Sequence, residues 1–235
     1  MEDRLELTAT VGVDQTLIVG DSASRSAQSA AAQRTTRAQP SLWRRLREEC
    51  DESARHLVGQ IPGSIGRRVR AAYYASVLKS LGREASIGMG MEIVAPENIA
   101  IGDRFIALRN CFLCADLGGQ IRMGDDVSLA TNVMVNAGCQ GLIAIGNGSG
   151  LGNNCVARSS AHLYQDPRRP FKTQGHKPGT IIIEEDVWVA ANTTLLPGTH
   201  LERGCVVSAG SVVGGLVKAY TVVAGNPARV VGMRG

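Results

Sequence analysis

Residues 181–213 read IIIEEDVWVAANTTLLPGTHLERGCVVSAGSVV. Six apolar residues run through them at a strict interval of six: Ile183, Val189, Leu195, Leu201, Val207 and Val213. A helix repeats every 3.6 residues and a strand every two, so neither element alone explains that interval. A period of six fits a parallel coil in which each hexapeptide supplies one short strand and one corner, three of them closing a triangular turn. The sixfold residue then points inward, and residues eighteen apart stack: Ile183 on Leu201, Val189 on Val207, Leu195 on Val213. Successive turns would sit about 4.7–4.9 Å apart, the ordinary strand spacing. The predicted fold is all-β, a parallel β-helix of hexapeptide repeats with helices N-terminal to it.

The same interval recurs upstream with interruptions, in Ile87, Ile93 and Ile99, in Met123, Leu129 and Val135, and in Ile145, Leu151 and Ala157. Gly and Asn crowd the positions between, among them Gly146, Gly152, Asn153, Asn154, Asn192, Gly198, Gly204 and Gly210. Tight corners favour residues that tolerate positive φ. Composition agrees: 28 Gly and only 4% aromatic residues suit a narrow prism of short rungs. A β-sandwich with glycine-rich turns would not keep so unbroken a period.

A chain of 235 residues suffices for one large domain with an appended segment. A formal charge of +4 makes no case for a nucleic-acid partner. No stretch approaches the ~18 apolar residues of a membrane span. The start, Met1-Glu2-Asp3-Arg4, lacks the basic and apolar run of a secretory signal, which predicts a cytoplasmic protein and six reduced cysteines. Cys111 and Cys114 form a CxxC without the second pair that a zinc site needs, and packing is the simpler role.

Residues 1–40 are rich in Ala, Ser, Thr and Gln and read as a disordered tail. Residues 41–85 read as a helical segment. Ser41 resembles an N-cap for a helix running to about Leu57, and Pro62 opens a second helix that Gly82 ends. The second helix carries Val69, Tyr73, Val77, Leu78 and Leu81 on one side, with Arg67, Arg68, Arg70 and Lys79 around them. One reading lays residues 62–82 on a membrane, at the inner face; the other packs them across the open end of the coil, covering its apolar rungs. The coil is expected over 86–235, reaching about Pro227 in regular form. Its largest interruption, between His162 and Ile181, is a polar, basic, proline-containing loop. Loops that break a regular scaffold usually carry function.

The segment 181–213, with VVAGNPARVV at 222–231, resembles the hexapeptide-repeat acyltransferases, which include maltose and galactoside acetyltransferases and polysaccharide O-acetyltransferases. The resemblance runs from Ile87 to Val231. It is carried by Asp186-Val187-Trp188, by Gly210-Ser211 and by Gly225-Asn226-Pro227-Ala228-Arg229. It implies a left-handed coil, a homotrimer with active sites between subunits, and acetyl-CoA as donor to a carbohydrate acceptor. It also implies that His162 is the catalytic base and that Asn132 lines the sugar site. Gln140 stands where those enzymes use an aspartate near the acceptor, and Gly214-Gly215 replaces the Thr-Lys that contacts the coenzyme. Ala191, Ala209 and Gly210 match positions that contact coenzyme A; Lys218 and Arg229 could meet its phosphates and Pro227 its adenine. Trp188 would border the acyl site or wedge against a neighbouring subunit.

The chemistry asks little of the protein. A hydroxyl becomes a good nucleophile only as its proton leaves, and imidazole titrates near working pH. His162 and His176 flank the long loop, with His176 a second candidate contact for acceptor or coenzyme. His56 is expected at the surface and His200 at a solvated coil corner. Asp166, four residues after His162, could orient the imidazole; a backbone carbonyl could do the same, and Asp-Pro also starts turns. No metal is required. A zinc enzyme of γ-carbonic anhydrase type would need three convergent histidines, and no histidine precedes His162 within the coil. A non-catalytic scaffold would need neither the histidine-bearing loop nor the AGNPAR ending.

Overall fold

The computed structural model describes Ser53 and residues 57–235, which fall within one compact unit, Leu42–Gly235. The expected tail, the helix from Ser41 and His56 lie outside the described residues. Three sheets of seven, eight and six strands, parallel except for the last strand of the second, form the sides of a prism of about six turns. One turn runs Leu142–Ile145 in the first sheet, Gly150–Leu151 in the second and Val156–Arg158 in the third. The expected stacking is present: Ile183 pairs with Leu201, Val189 with Val207 and Leu195 with Val213. Sixfold residues point inward and are buried, from Ile87 and Ile99 to Leu201 and Val207.

Upstream turns are longer. There the ladder pairs Ile99 with Ile121 and Ile121 with Ile143, each step a turn of 22 residues. The extra residues collect at one edge, between the third and first sheets, as the bends 115–119 and 137–141. The long loop leaves from the same edge and folds as a hairpin, Ser160–His162 against His176–Pro178. We call this the loop edge. The edge between the second and third sheets carries a column of Asn110, Asn132, Asn154 and Asn192, all at φ of 58–62°. Asn132 Nδ2 donates to Asn154 Oδ1, and Asn154 Nδ2 to Asn192 Oδ1. We call it the asparagine edge.

Helix α1 (Gly63–Val77) ends earlier than Gly82, because the chain is needed as strand from Ser80, which with Leu81 pairs with Ala100 and Ile101. The coil thus begins six residues ahead of the expected Ser86. α1 packs on this first turn partly through the expected apolar side: Leu78 joins the core, and Tyr73, Val77 and Leu81 pack against it. The buried positions of the helix itself are Gly66, Arg70 and Tyr74, while Val69 stays 36% exposed. The end of a solenoid presents carbonyls with no next strand to bond them, and a cap must bring donors. Arg70 Nε donates to the Ile87 carbonyl at 2.8 Å and Tyr74 Oη to the Met91 carbonyl at 2.7 Å. Gly66 lets the helix close on the chain before it, since a Cβ there would collide with the Ile61 carbonyl.

The other end closes with an antiparallel hairpin, Thr221–Gly225 against Ala228–Met233, beyond the expected limit at Pro227. Arg234 then pairs with Asp186 at 2.9 Å. No helix among the described residues is long and apolar enough to cross a membrane.

Candidate functional site

The loop hairpin places His162 directly across from His176. Their rings lie 3.9 Å apart at 40°, and Phe171, from the short 3-10 turn Phe171–Thr173, meets the His162 ring edge-on at 5.2 Å. His162 is exposed and His176 half-buried. Burial holds the His176 imidazole below its ordinary value of 6.5; His162 and Arg158 push the same way, and Asp116 opposes them. His176 is therefore a neutral ring near neutral pH.

Asp166 does not reach this pair. Its carboxylate accepts from the Arg168 backbone N–H at 3.0 Å and from Arg168 Nε at 3.1 Å, which holds it below the usual carboxylate range. This is the turn-starting geometry of Asp-Pro, with Gln174 Nε2 donating to the Asp166 carbonyl to close the loop. Gln140 stands on the loop edge one turn earlier, exposed, at φ 64°.

Sequence reasoning missed the groups that share this edge with the histidines. Asp116 and Arg158 both act on His176. The 22-residue turn is the signal that could have found Asp116: positions 116, 138 and 160 occupy equivalent places, and Gly138 leaves room for the Asp116 carboxylate, which a Cβ would strike. Arg158 pairs in register with Asn136 and donates through Nε to the Ser160 carbonyl.

The expected coenzyme residues divide between edges. Ala191, Ala209 and Gly210 line the asparagine edge in consecutive turns, with Gly210 at φ 72° and open space where a Cβ would point. Pro227 sits beside them in the C-terminal hairpin turn, after a cis peptide, and the Gly225 N–H bonded to Ser211 Oγ ties that turn to the edge. Arg229 is exposed on the same hairpin. Lys218 is elsewhere, at the edge between the first and second sheets, with its ammonium 3.1 Å from Glu202. Trp188 stands 59% exposed on the second sheet, over a shallow groove of about 340 Å³ that Gly150 and Arg234 also line. Asn132 shares the asparagine edge with the coenzyme candidates. Within one chain, then, the histidines and Asn132 occupy different edges of the prism.

His200 is not at a corner. It lies in the strand His200–Leu201, where Nε2 meets Glu184 Oε1 at 2.7 Å. Cys111 and Cys114 are buried free thiols, and the Cys111 Sγ–H reaches the Ala130 carbonyl at 3.1 Å. No cluster of metal-ligating side chains occurs among the described residues.

Residues 180–215 match the bacterial transferase hexapeptide family (six repeats). A probable acetyltransferase of Mycobacterium tuberculosis is 30% identical over 148 residues, which is 62% of this chain. The match spans about half of that relative, 48% of its length. Among solved structures, an N-acyltransferase from Bacillus cereus, in complex with dTDP-4-amino-4,6-dideoxyglucose and coenzyme A, superposes with a TM-score of 0.63 at 19% identity, covering 71% of this chain and 89% of that one. A maltose O-acetyltransferase from Clostridium difficile gives 0.56 at 21% identity, covering 83% and 90%. At such identities the structural likeness establishes the fold alone.

Proposed function

We propose that this chain, a β-helix carrying a hexapeptide-repeat transferase domain, moves an acetyl group from acetyl-CoA to a hydroxyl of a sugar or polysaccharide precursor. The observation that carries this is the His162–His176 pair, held at the root of the hairpin that breaks the coil. The names of the relatives and the coenzyme A bound in the Bacillus cereus neighbour support the donor. Ala191, Ala209 and Gly210 offer the small, open ledge along which a pantetheine arm can bond to rung backbone, with Pro227 and Arg229 at its end. No step needs a metal.

His162 acts as general base. It takes the acceptor proton as the oxygen attacks the thioester carbonyl; the tetrahedral intermediate collapses, the C–S bond breaks, and the imidazolium returns its proton to the departing thiolate. His176, kept neutral by burial, flanks the acceptor without adding charge. Since His162 and Asn132 occupy different edges of one chain, a complete site brings the loop edge of one subunit to the asparagine edge of the next in a homotrimer. The donor places the reaction in the cytoplasm.

His162→Ala should lower acetyl transfer by about 10²–10⁴, the usual share of general-base catalysis, and leave acetyl-CoA affinity nearly unchanged. His162→Asn should be almost as inactive. Steady-state kinetics with labelled acetyl-CoA and an array of sugar and amino-sugar acceptors test this; near-normal kcat in His162→Ala ends the proposed mechanism. An amine as the sole acceptor would move the reaction to N-acylation, the activity named for the Bacillus cereus neighbour.

A further inference from the structure

Between α1 and the second sheet runs a second groove, of about 360 Å³, lined by Arg67, Arg70, Arg109, Thr131, Met89 and Leu108 among others. No carboxylate lines it among the described residues. Arg70 is 1% exposed, and the acceptors it holds are two neutral carbonyls, Ile87 at 2.8 Å and Ile61 at 2.6 Å. A buried charge is normally matched by an opposite one. Burial depresses the Arg70 guanidinium most; Tyr74 opposes that, and Arg67, a charge of the same sign, adds to it. Arg67 and Arg109 are exposed and form no ion pair with any described residue. Three arginines thus line one groove with no anion among the described residues to balance them.

The groove is continuous with the proposed acceptor ledge. Arg109 and Thr131 belong to the asparagine edge, and the Asn132 N–H donates to the Arg109 carbonyl at 2.9 Å. Arg109 lies one turn below Asn132, about 4.8 Å along the prism, so a sugar lying on Asn132 would direct a substituent onto the arginines. The coenzyme ledge at Ala191 and Ala209 lies in the opposite direction from Asn132.

We propose that this groove binds the phosphoryl group of the acetyl acceptor, so that the substrate is a sugar carried on a phosphate or diphosphate. This rests on the acetyl-transfer reading and specifies its substrate. Arg67 and Arg109 form the fork that grips the phosphoryl oxygens, a geometry guanidinium groups fulfil in bidentate fashion. Arg70 stays fixed in the cap and supplies field. Met89 and Leu108 offer an apolar floor for what the phosphate carries.

The test is calorimetric titration of the full chain, without acetyl-CoA, with inorganic pyrophosphate and with uridine diphosphate. Saturable binding is expected. In the Arg67→Ala/Arg109→Ala double variant it should weaken by about tenfold or more, with an unchanged melting temperature. Arg67→Lys/Arg109→Lys should recover part of it, since charge returns without the fork. Tighter binding of uridine diphosphate than of pyrophosphate would identify a nucleotide-linked acceptor; equal binding would identify a lipid-linked diphosphate. No saturable binding, or equal binding by wild type and the alanine variant, overturns the assignment. Acetyl-CoA affinity, titrated separately, should be the same in all variants. Its absence from wild type would defeat the acetyl-transfer reading while leaving the groove's anion binding measurable.

Discussion

His162 faces a partner that carries no charge. If His176 protonated near neutral pH, it would oppose the imidazolium that the proposed mechanism forms on His162. Burial keeps it neutral and removes that repulsion. The asparagine column shows a different residue-scale constraint. Asn154 at φ 59° occupies a left-handed corner that a Cβ-bearing residue other than Asn or Asp enters at a cost of about 1–2 kcal/mol. Its side-chain bonds to Asn132 and Asn192 are exposed and add little. Asn154→Ala should therefore destabilise by about 1–2 kcal/mol in denaturant unfolding, and Asn154→Gly by clearly less. Equal losses would show that the side-chain ladder, not the backbone, sets the choice of residue.

At the scale of elements, α1 is a cap that works by donation. Tyr74 is 1% exposed, and its hydroxyl bonds the Met91 carbonyl of the first turn. Tyr74→Phe leaves that carbonyl without its donor and should cost about 1–3 kcal/mol, measured by thermal or urea unfolding. A cost near zero would mean that water replaces the hydroxyl and that the cap is held by apolar area alone. The hairpin has a pH signature. The folded His176 binds its proton less readily than the ordinary value of 6.5. Just below that pH the opened hairpin therefore carries more protons than the closed one, and closure weakens as pH falls. Amide exchange over 160–162 and 176–177, corrected for intrinsic rate, should show lower protection as pH drops below about 6.5, and His176→Asn should flatten the dependence. Identical profiles in the two proteins would remove His176 as the cause.

For the whole molecule, the outward face of the third sheet is the telling surface. Phe112, Met134, Val156 and Val212 follow one another up successive turns, partly exposed, with Thr194 among them. An apolar ladder of that length suits contact with another subunit. Multi-angle light scattering should give three chains per particle; a stable monomer at micromolar concentration would leave the histidines and the asparagine edge apart, and with them the proposed site.

Over 181–213 the interval of six determined the coil, its inward residues and its stacking without help, because a repeated unit makes only neighbour contacts and writes each of them into the local pattern. It also marked the long loop, by breaking. What surrounds His162 was another matter. Asp166 looked like its partner by proximity in sequence, yet a two-residue turn claims that carboxylate for Arg168. His176, fourteen residues away, arrives through the antiparallel pairing of the hairpin, and Asp116 through the longer upstream turn. Lys218 left the coenzyme group for Glu202 because its rung ends at a different edge. The cap's buried Arg70 and Tyr74 were hidden for the same reason. An amphipathic pattern predicts an apolar interface, and only the assembled end of the solenoid shows that the carbonyls beneath the helix need donors.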